Sequence, residues 1–112
     1  MVKAIYDISK TFPQSEIYGL TSQIRRAAVS VPSNIAEGHI RGHTAEFRQF
    51  LFISLGSLAE LETQVIITYE LEYIGKESLD SILKIVDTLG KRIRTLISKL
   101  NPKHQFPTPF NK

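Results

Sequence analysis

Apolar residues recur at three- and four-residue spacing through four stretches of the 112-residue chain, the period of a helix with one inward face. In the first, Val2, Ile5, Ile8 and Phe12 form a stripe with Lys3, Asp7 and Lys10 off it. Pro13 disfavours helix in the residue before it, so a helix is predicted over 1–12. The second, over about 21–40, carries Ile24, Ala27, Ala28, Val31 and Ile35, with Thr21 or Ser22 to cap its start. The third, over about 45–73, is opened by Thr44 as a cap. The fourth, over about 77–100, alternates three- and four-residue steps through Leu79, Ile82, Val86, Leu89, Ile93, Leu96 and Leu100. Such a heptad seam packs at roughly 20° against its neighbours. Glycines punctuate the links: Gly38 is expected to terminate the second helix, Gly42 to complete a tight link, and Gly75 to give the third a left-handed cap. Short links between four helices predict an all-α, antiparallel up-down-up-down four-helix bundle over 1–100. A proline-punctuated tail, 101–112, follows, on which Phe106 and Phe110 are the apolar residues.

The least ordinary stretch is 20–38, LTSQIRRAAVSVPSNIAEG. Pro32 sits inside a helical run, where it removes a backbone donor and clashes with the preceding turn, at a cost of roughly 3 kcal/mol or more. Ser30, Ser33 and Asn34 surround it and are placed to bond a freed carbonyl. Asn34 falls on the apolar stripe, where a polar residue fixes register or oligomeric state. Arg25 and Arg26 flank that stripe, with Glu37, Glu60 or Glu62 as expected ion-pair partners and a structural role for at least one arginine. Glu37 and Gly38 close the motif.

The third helix is apolar on more than one face, through Phe47, Phe50, Leu51, Phe52, Ile53, Leu55, Leu58, Leu61, Val65 and Ile66. In so small a domain that requires two sets of neighbours, one of which is expected to be other subunits. Ser54, Gly56, Ser57 and Ala59 are small enough for close backbone approach.

Composition narrows the class. A 42% hydrophobic content fits one modest globular domain. There is no cysteine, hence no disulfide or thiolate metal site, which suits the cytoplasm. No charged-then-apolar leader opens the sequence, and the longest apolar run, Phe50 to Leu55, is too short to span a bilayer. The net charge of +3 is mildly basic.

The placement of charge is more informative than its sum. Glu60, Glu62, Glu70, Glu72, Glu77, Asp80 and Asp87 cluster around the link between the third and fourth helices. Lys91, Arg92, Arg94, Lys99, Lys103 and Lys112 follow with no later acid. In an antiparallel hairpin the end of the fourth helix lies beside Arg48 and the link carrying His39, Arg41 and His43, which makes one end of the bundle basic. Helix-dipole complementarity accounts for Glu77 and Lys99 but not for the added arginines. Arg41, Arg48, Lys91, Arg92 and Arg94 are therefore the expected polyanion-contacting residues. No aromatic–basic interleaving supports base-specific reading.

Catalytic chemistry finds no foothold. His39 and His43 are four apart, but Gly42 between them breaks a shared face, and neither Glu37 nor Glu46 is followed by histidine at the di-iron spacing. No Ser–His–acid grouping or phosphate-cradling glycine loop is legible. The expectation is a protein that is not an enzyme and has no metal, cofactor or membrane partner.

LTSQIRRAAVSVPSNIAEG, then EFRQFLFISLGSLAELETQ and LEYIG, closely resemble the four-helix-bundle proteins encoded in intervening sequences of bacterial 23S ribosomal RNA genes, a family that includes the accessory proteins of diversity-generating retroelements. The resemblance covers residues 1 to about 100. It implies a homopentameric ring whose basic surfaces contact RNA or a reverse transcriptase. The competing expectation is a protein-interaction scaffold whose basic end is merely solvated.

Overall fold

The computed structural model describes residues 1–100. The expected stop at Asn101–Pro102, and the expectation that the tail with Phe106 and Phe110 frays rather than packs on the bundle, lie outside them. Among the described residues the protein is all-helical, with four α-helices and no strand: α1 (Val2–Ser9), α2 (Leu20–Ile40), α3 (Thr44–Glu70) and α4 (Lys76–Lys99), plus a 3-10 turn at Gln14–Glu16. This is compatible with a four-helix bundle.

Helix α1 ends three residues before its predicted limit. The Ser9 and Thr11 hydroxyls donate to the carbonyls of Tyr6 and Ile8, and such local side-chain bonds compete with helix continuation. Phe12 nonetheless reaches the core and stacks on Tyr73 with ring centroids 5.5 Å apart.

The start of α2 is secured from outside the helix. Neither Thr21 nor Ser22 caps it; Thr21 is buried. Instead Glu16 accepts the Leu20 amide on one carboxylate oxygen at 3.2 Å and the Tyr73 hydroxyl on the other at 2.8 Å. A carboxylate at a helix N-terminus also complements the helix dipole. One glutamate thus ties the α1–α2 connection to the α3–α4 link. Its bond to the phenol, with burial second, pushes the Tyr73 pKa above its ordinary 10.0.

Helix α2 runs through Pro32 to Ile40. Around the proline, Ser54 of α3 donates to the Val31 carbonyl at 2.9 Å, and the Ser30 and Ser57 hydroxyls meet at 2.7 Å. Asn34 Nδ2 donates to both the carbonyl and the hydroxyl of Ser30 at 2.9 Å. The carbonyl that loses its helical donor to Pro32 belongs to Ala28. The side-chain bonds go instead to the carbonyls of Ser30 and Val31, so the expected direct replacement gives way to bracing by α3. Ser54 and Ser57 therefore serve close approach between α2 and α3 of the chain, while Gly56 and Ala59 are exposed.

Gly38 does not terminate α2. It is buried mid-contact: a Cβ there would stand 2.6 Å from Phe50 Cβ and 3.1 Å from Phe47 Cδ1. The glycine is required by proximity, while the link conformation falls to Gly42 at φ 77°. These contacts, 38 with 47 and 50, 31 with 54, 30 with 57, descend on α3 as they ascend on α2.

Helix α3 begins one residue early: His43 is its N-cap and Thr44 its first residue. It stops at Glu70, short of the predicted 73. Glu72, at φ 64°, takes the left-handed position. The Tyr73 amide bonds the Thr68 carbonyl and the Glu72 amide bonds the Tyr69 carbonyl, the Schellman closure. Gly75, expected in that role, has φ −87° and is the N-cap of α4.

The core joins Ile5, Ile24, Ala28 and Val31 to Leu51, Leu61 and Val65, closed by Leu79, Ile82, Val86, Ile93 and Ile97 of α4. Leu89, Leu96 and Leu100 of the predicted seam are only partly buried, and Gly90 and Ile97 take up the inward line.

Gly38→Ala should lower stability by about 1–3 kcal/mol, the usual cost of forcing a group into a packed contact. Ala36→Ser on the exposed side should stay within about 0.5 kcal/mol; urea titrations of both variants compare the two. Because the folded state raises the Tyr73 pKa, its contribution is full below the unfolded value near 10.0 and is lost as pH rises through the folded one. The gap in thermal midpoint between the wild type and Tyr73→Phe should therefore narrow with pH on the alkaline side, read by melts over about pH 8 to 11.

Candidate nucleic-acid interface

The five predicted polyanion contacts do not converge on one surface. Arg41, in the α2–α3 link, gives Nε and Nη2 to the same Glu37 oxygen at 3.1 and 2.9 Å, approaches Glu46 at 4.0 Å and lies over the Phe50 ring. Its charge is internally answered. Arg48 donates Nε to the Ile97 carbonyl at 3.3 Å and stacks over Phe52 at 5.6 Å. It ties the start of α3 to the end of α4, where a cation complements the helix dipole.

Arg92 and Arg94 lie two residues apart, about 200° around a helix. Arg94 folds back over Gly90, its Nη1 3.2 Å from where a Cβ would stand. It shares a groove between α3 and α4 with Glu62 and Asp87. Arg92 is on the other side, beside Lys84, Ile85 and Thr88 in one shallow depression and Lys91, Thr95 and Lys99 in the next. Lys91 pairs with Asp87 at 3.2 Å, both largely exposed, and such surface pairs contribute about 0–1 kcal/mol. The structure therefore groups Lys91 and Arg92 with Lys84 and Lys99 and separates them from Arg41, Arg48 and Arg94. Lys84 is not among the residues expected from the sequence; its signal was the seven- to eight-residue step from Lys84 to Lys91 and Arg92 and on to Lys99, which keeps one helix face.

The motif in α2 is divided the same way. Arg25 donates Nε to the Ser9 hydroxyl at 2.8 Å and lies 4.7 Å over the Tyr6 ring, fastening α1 to α2. Arg26 lines a groove with Tyr18, Gln23, Ser30, Ser57 and Glu60. Among the described residues neither arginine pairs with the acids expected for it: Glu37 is with Arg41, Glu60 with Gln64 at 3.3 Å, and Glu62 lines the groove that holds Arg94. Short polar side chains near Pro32 and a buried Gly38 leave Asn34 half-buried within the chain's own α2–α3 contact.

His39 meets Phe47 edge-on at 5.6 Å, whereas His43 caps α3 across the left-handed Gly42. Among the described residues no three His, Asp or Glu side chains are grouped to hold a metal ion.

Arg48→Ala should destabilise the fold by about 1 kcal/mol, since it removes a charged donor from the Ile97 carbonyl and a stacked guanidinium. Arg92→Ala should stay within about 0.5 kcal/mol. Denaturant midpoints measured side by side separate the bracing arginine from the open one.

No curated protein matches the chain. Residues 1–95 match the family described as 23S rRNA-intervening sequence protein, and the chain belongs to that family.

Proposed function

We propose that this chain is a non-enzymatic bundle protein, encoded in a 23S rRNA intervening sequence, that self-associates and binds RNA or a nucleoprotein through a basic surface. In this reading its helices pack up-down-up-down and antiparallel, it works in the cytoplasm without a cofactor, and its copies close into a homopentameric ring. The ring is what the resemblance to retroelement accessory proteins implies.

The observation that carries self-association is the outer face of α3. Phe52 is 53% exposed, and Ile53, Ile66, Ile67 and Leu71 are between 40 and 49% exposed. By length and composition alone α3 could also cross a bilayer, a property that the short Phe50–Leu55 run did not suggest, and only 33% of its most apolar window is buried within the chain. Glu60 and Glu62 at its middle make lipid a costly cover. Support for a polyanion partner comes from the second half of α4, which after Asp87 carries Lys91, Arg92, Arg94 and Lys99 without an acid.

The second reading, a scaffold for a protein partner such as a reverse transcriptase, is favoured by the internal engagement of Arg41 and Arg48, which thins the basic end. Sedimentation velocity of the protein, alone and with a structured ribosomal RNA fragment at low and moderate salt, distinguishes the two. The proposal expects a multiple of the 12.7 kDa chain mass and an RNA complex that dissociates steeply as salt rises. A single-chain mass at micromolar concentration removes the self-association reading, and no RNA complex at low salt favours the scaffold.

A further inference from the structure

The outward face of α4 is a continuous cationic track. Lys84, Lys91, Arg92 and Lys99 fall within about 100° of the helix circumference and span sixteen residues, about 22 Å along its axis. Two shallow depressions of about 380 and 310 Å³ lie along this face, and Arg92 lines both. Their apolar parts carry no ring: Met1, Ile85 and Leu89 in one, Leu96 in the other.

We infer that this face seats the phosphate backbone of double-stranded RNA and reads it without regard to base sequence. The inference rests on the RNA-binding reading above and specifies its surface and its ligand. Two observations favour a duplex. No aromatic ring lines either depression, so unstacked bases have no platform of the kind that single-strand binders use. A straight helix with cations at seven- to eight-residue intervals can meet several phosphates at once, and the wide, shallow minor groove of an A-form duplex presents phosphates and 2′-hydroxyls to such a surface. Asp87 holds Lys91 only through an exposed contact, so a phosphate replaces it at little cost. Thr88 sits between Lys84 and Arg92 with a hydroxyl to offer a phosphate oxygen. Arg41, Arg48 and Arg94 are outside the track because their guanidinium groups are already engaged or face α3.

The test is fluorescence anisotropy with a labelled mixed-sequence RNA duplex of about 20 base pairs, at about 50 and 150 mM salt. Lys84→Glu with Arg92→Glu should weaken binding at least tenfold at the lower salt. It should also flatten the log–log salt dependence by roughly two units, about one for each phosphate that is no longer neutralised. Circular dichroism should show the same helix content and melting point as the wild type, since both residues are exposed; the Lys84→Gln/Arg92→Gln pair should show a smaller loss of the same kind. Lys76→Glu, on another part of α4, should stay within about twofold, and unlabelled duplexes of unrelated sequence should compete equally. The assignment is overturned if the Lys84/Arg92 variants bind normally while Arg41→Glu/Arg48→Glu does not, an outcome that leaves RNA binding itself intact. It is also overturned if single-stranded RNA of the same length binds more tightly than the duplex. Wild-type protein that binds no RNA at low salt removes the RNA reading, and this inference with it.

Discussion

Close approach between α2 and α3 is the constraint on which the remaining structure depends. Gly38 lets the Phe50 backbone come within reach of the α2 backbone. Two serines of α3 reach the main chain and side chains of α2 beside its proline. Pro32 removes one backbone bond from α2, and the packed α3 braces the helix around it. The polar contacts are local and short, so the cost of placing Ser54, Ser30 and Asn34 in this seam is offset by the bonds they make. Separating the two helices would expose these groups together, which makes the seam cooperative.

A second layer of fastening converts this helix pair into a domain. Glu16 joins the α2 N-terminus to Tyr73 at the α3–α4 link, Arg25 joins α1 to α2, and Arg48 joins α3 to the last turn of α4. Each uses a charged group against a neutral hydroxyl, amide or carbonyl, not an ion pair. The ion pairs, by contrast, lie on the surface: Lys3 with Asp7, Lys76 with Asp80, Lys91 with Asp87. They shape the surface field more than the stability. The division of labour explains why the basic end is less basic than the residue count suggests, and why the positive charge that faces outward is concentrated on α4.

The protein is thin, with principal extents of 57 × 24 × 17 Å. Helices pack about 8–10 Å apart, so the shortest dimension holds about two layers and cannot enclose α3 on every side. One face of this apolar helix is therefore left exposed among the described residues. The charged row on α4 lies on another side of the molecule from that apolar face.

Periodicity was sufficient for the helices themselves, because burying one face of each segment is a local consequence of spacing: α2 and α4 fall within a residue or so of the pattern, and the core lines through Ile24, Val31, Leu51 and Leu58 were visible in it. Glycine was less transparent. Gly38, Gly75 and Gly42 look alike in the sequence, yet one is required by a phenylalanine 12 residues away, one opens a helix, and one turns the chain. Nor could the sequence tell Glu72 from Gly75 as the residue that takes the left-handed closure, since that follows from where the hydrogen bonds of α3 end. Arginine was the least transparent of all. Arg41, Arg48, Arg92 and Arg94 are equivalent as charges along a string, and residue counting places them at one end. Whether a guanidinium is spent on Glu37, on the Ile97 carbonyl, on a groove against α3 or lies on the outward face of α4 is decided by which helix face meets which neighbour. That information resides in the packing of the helices and not in any one segment.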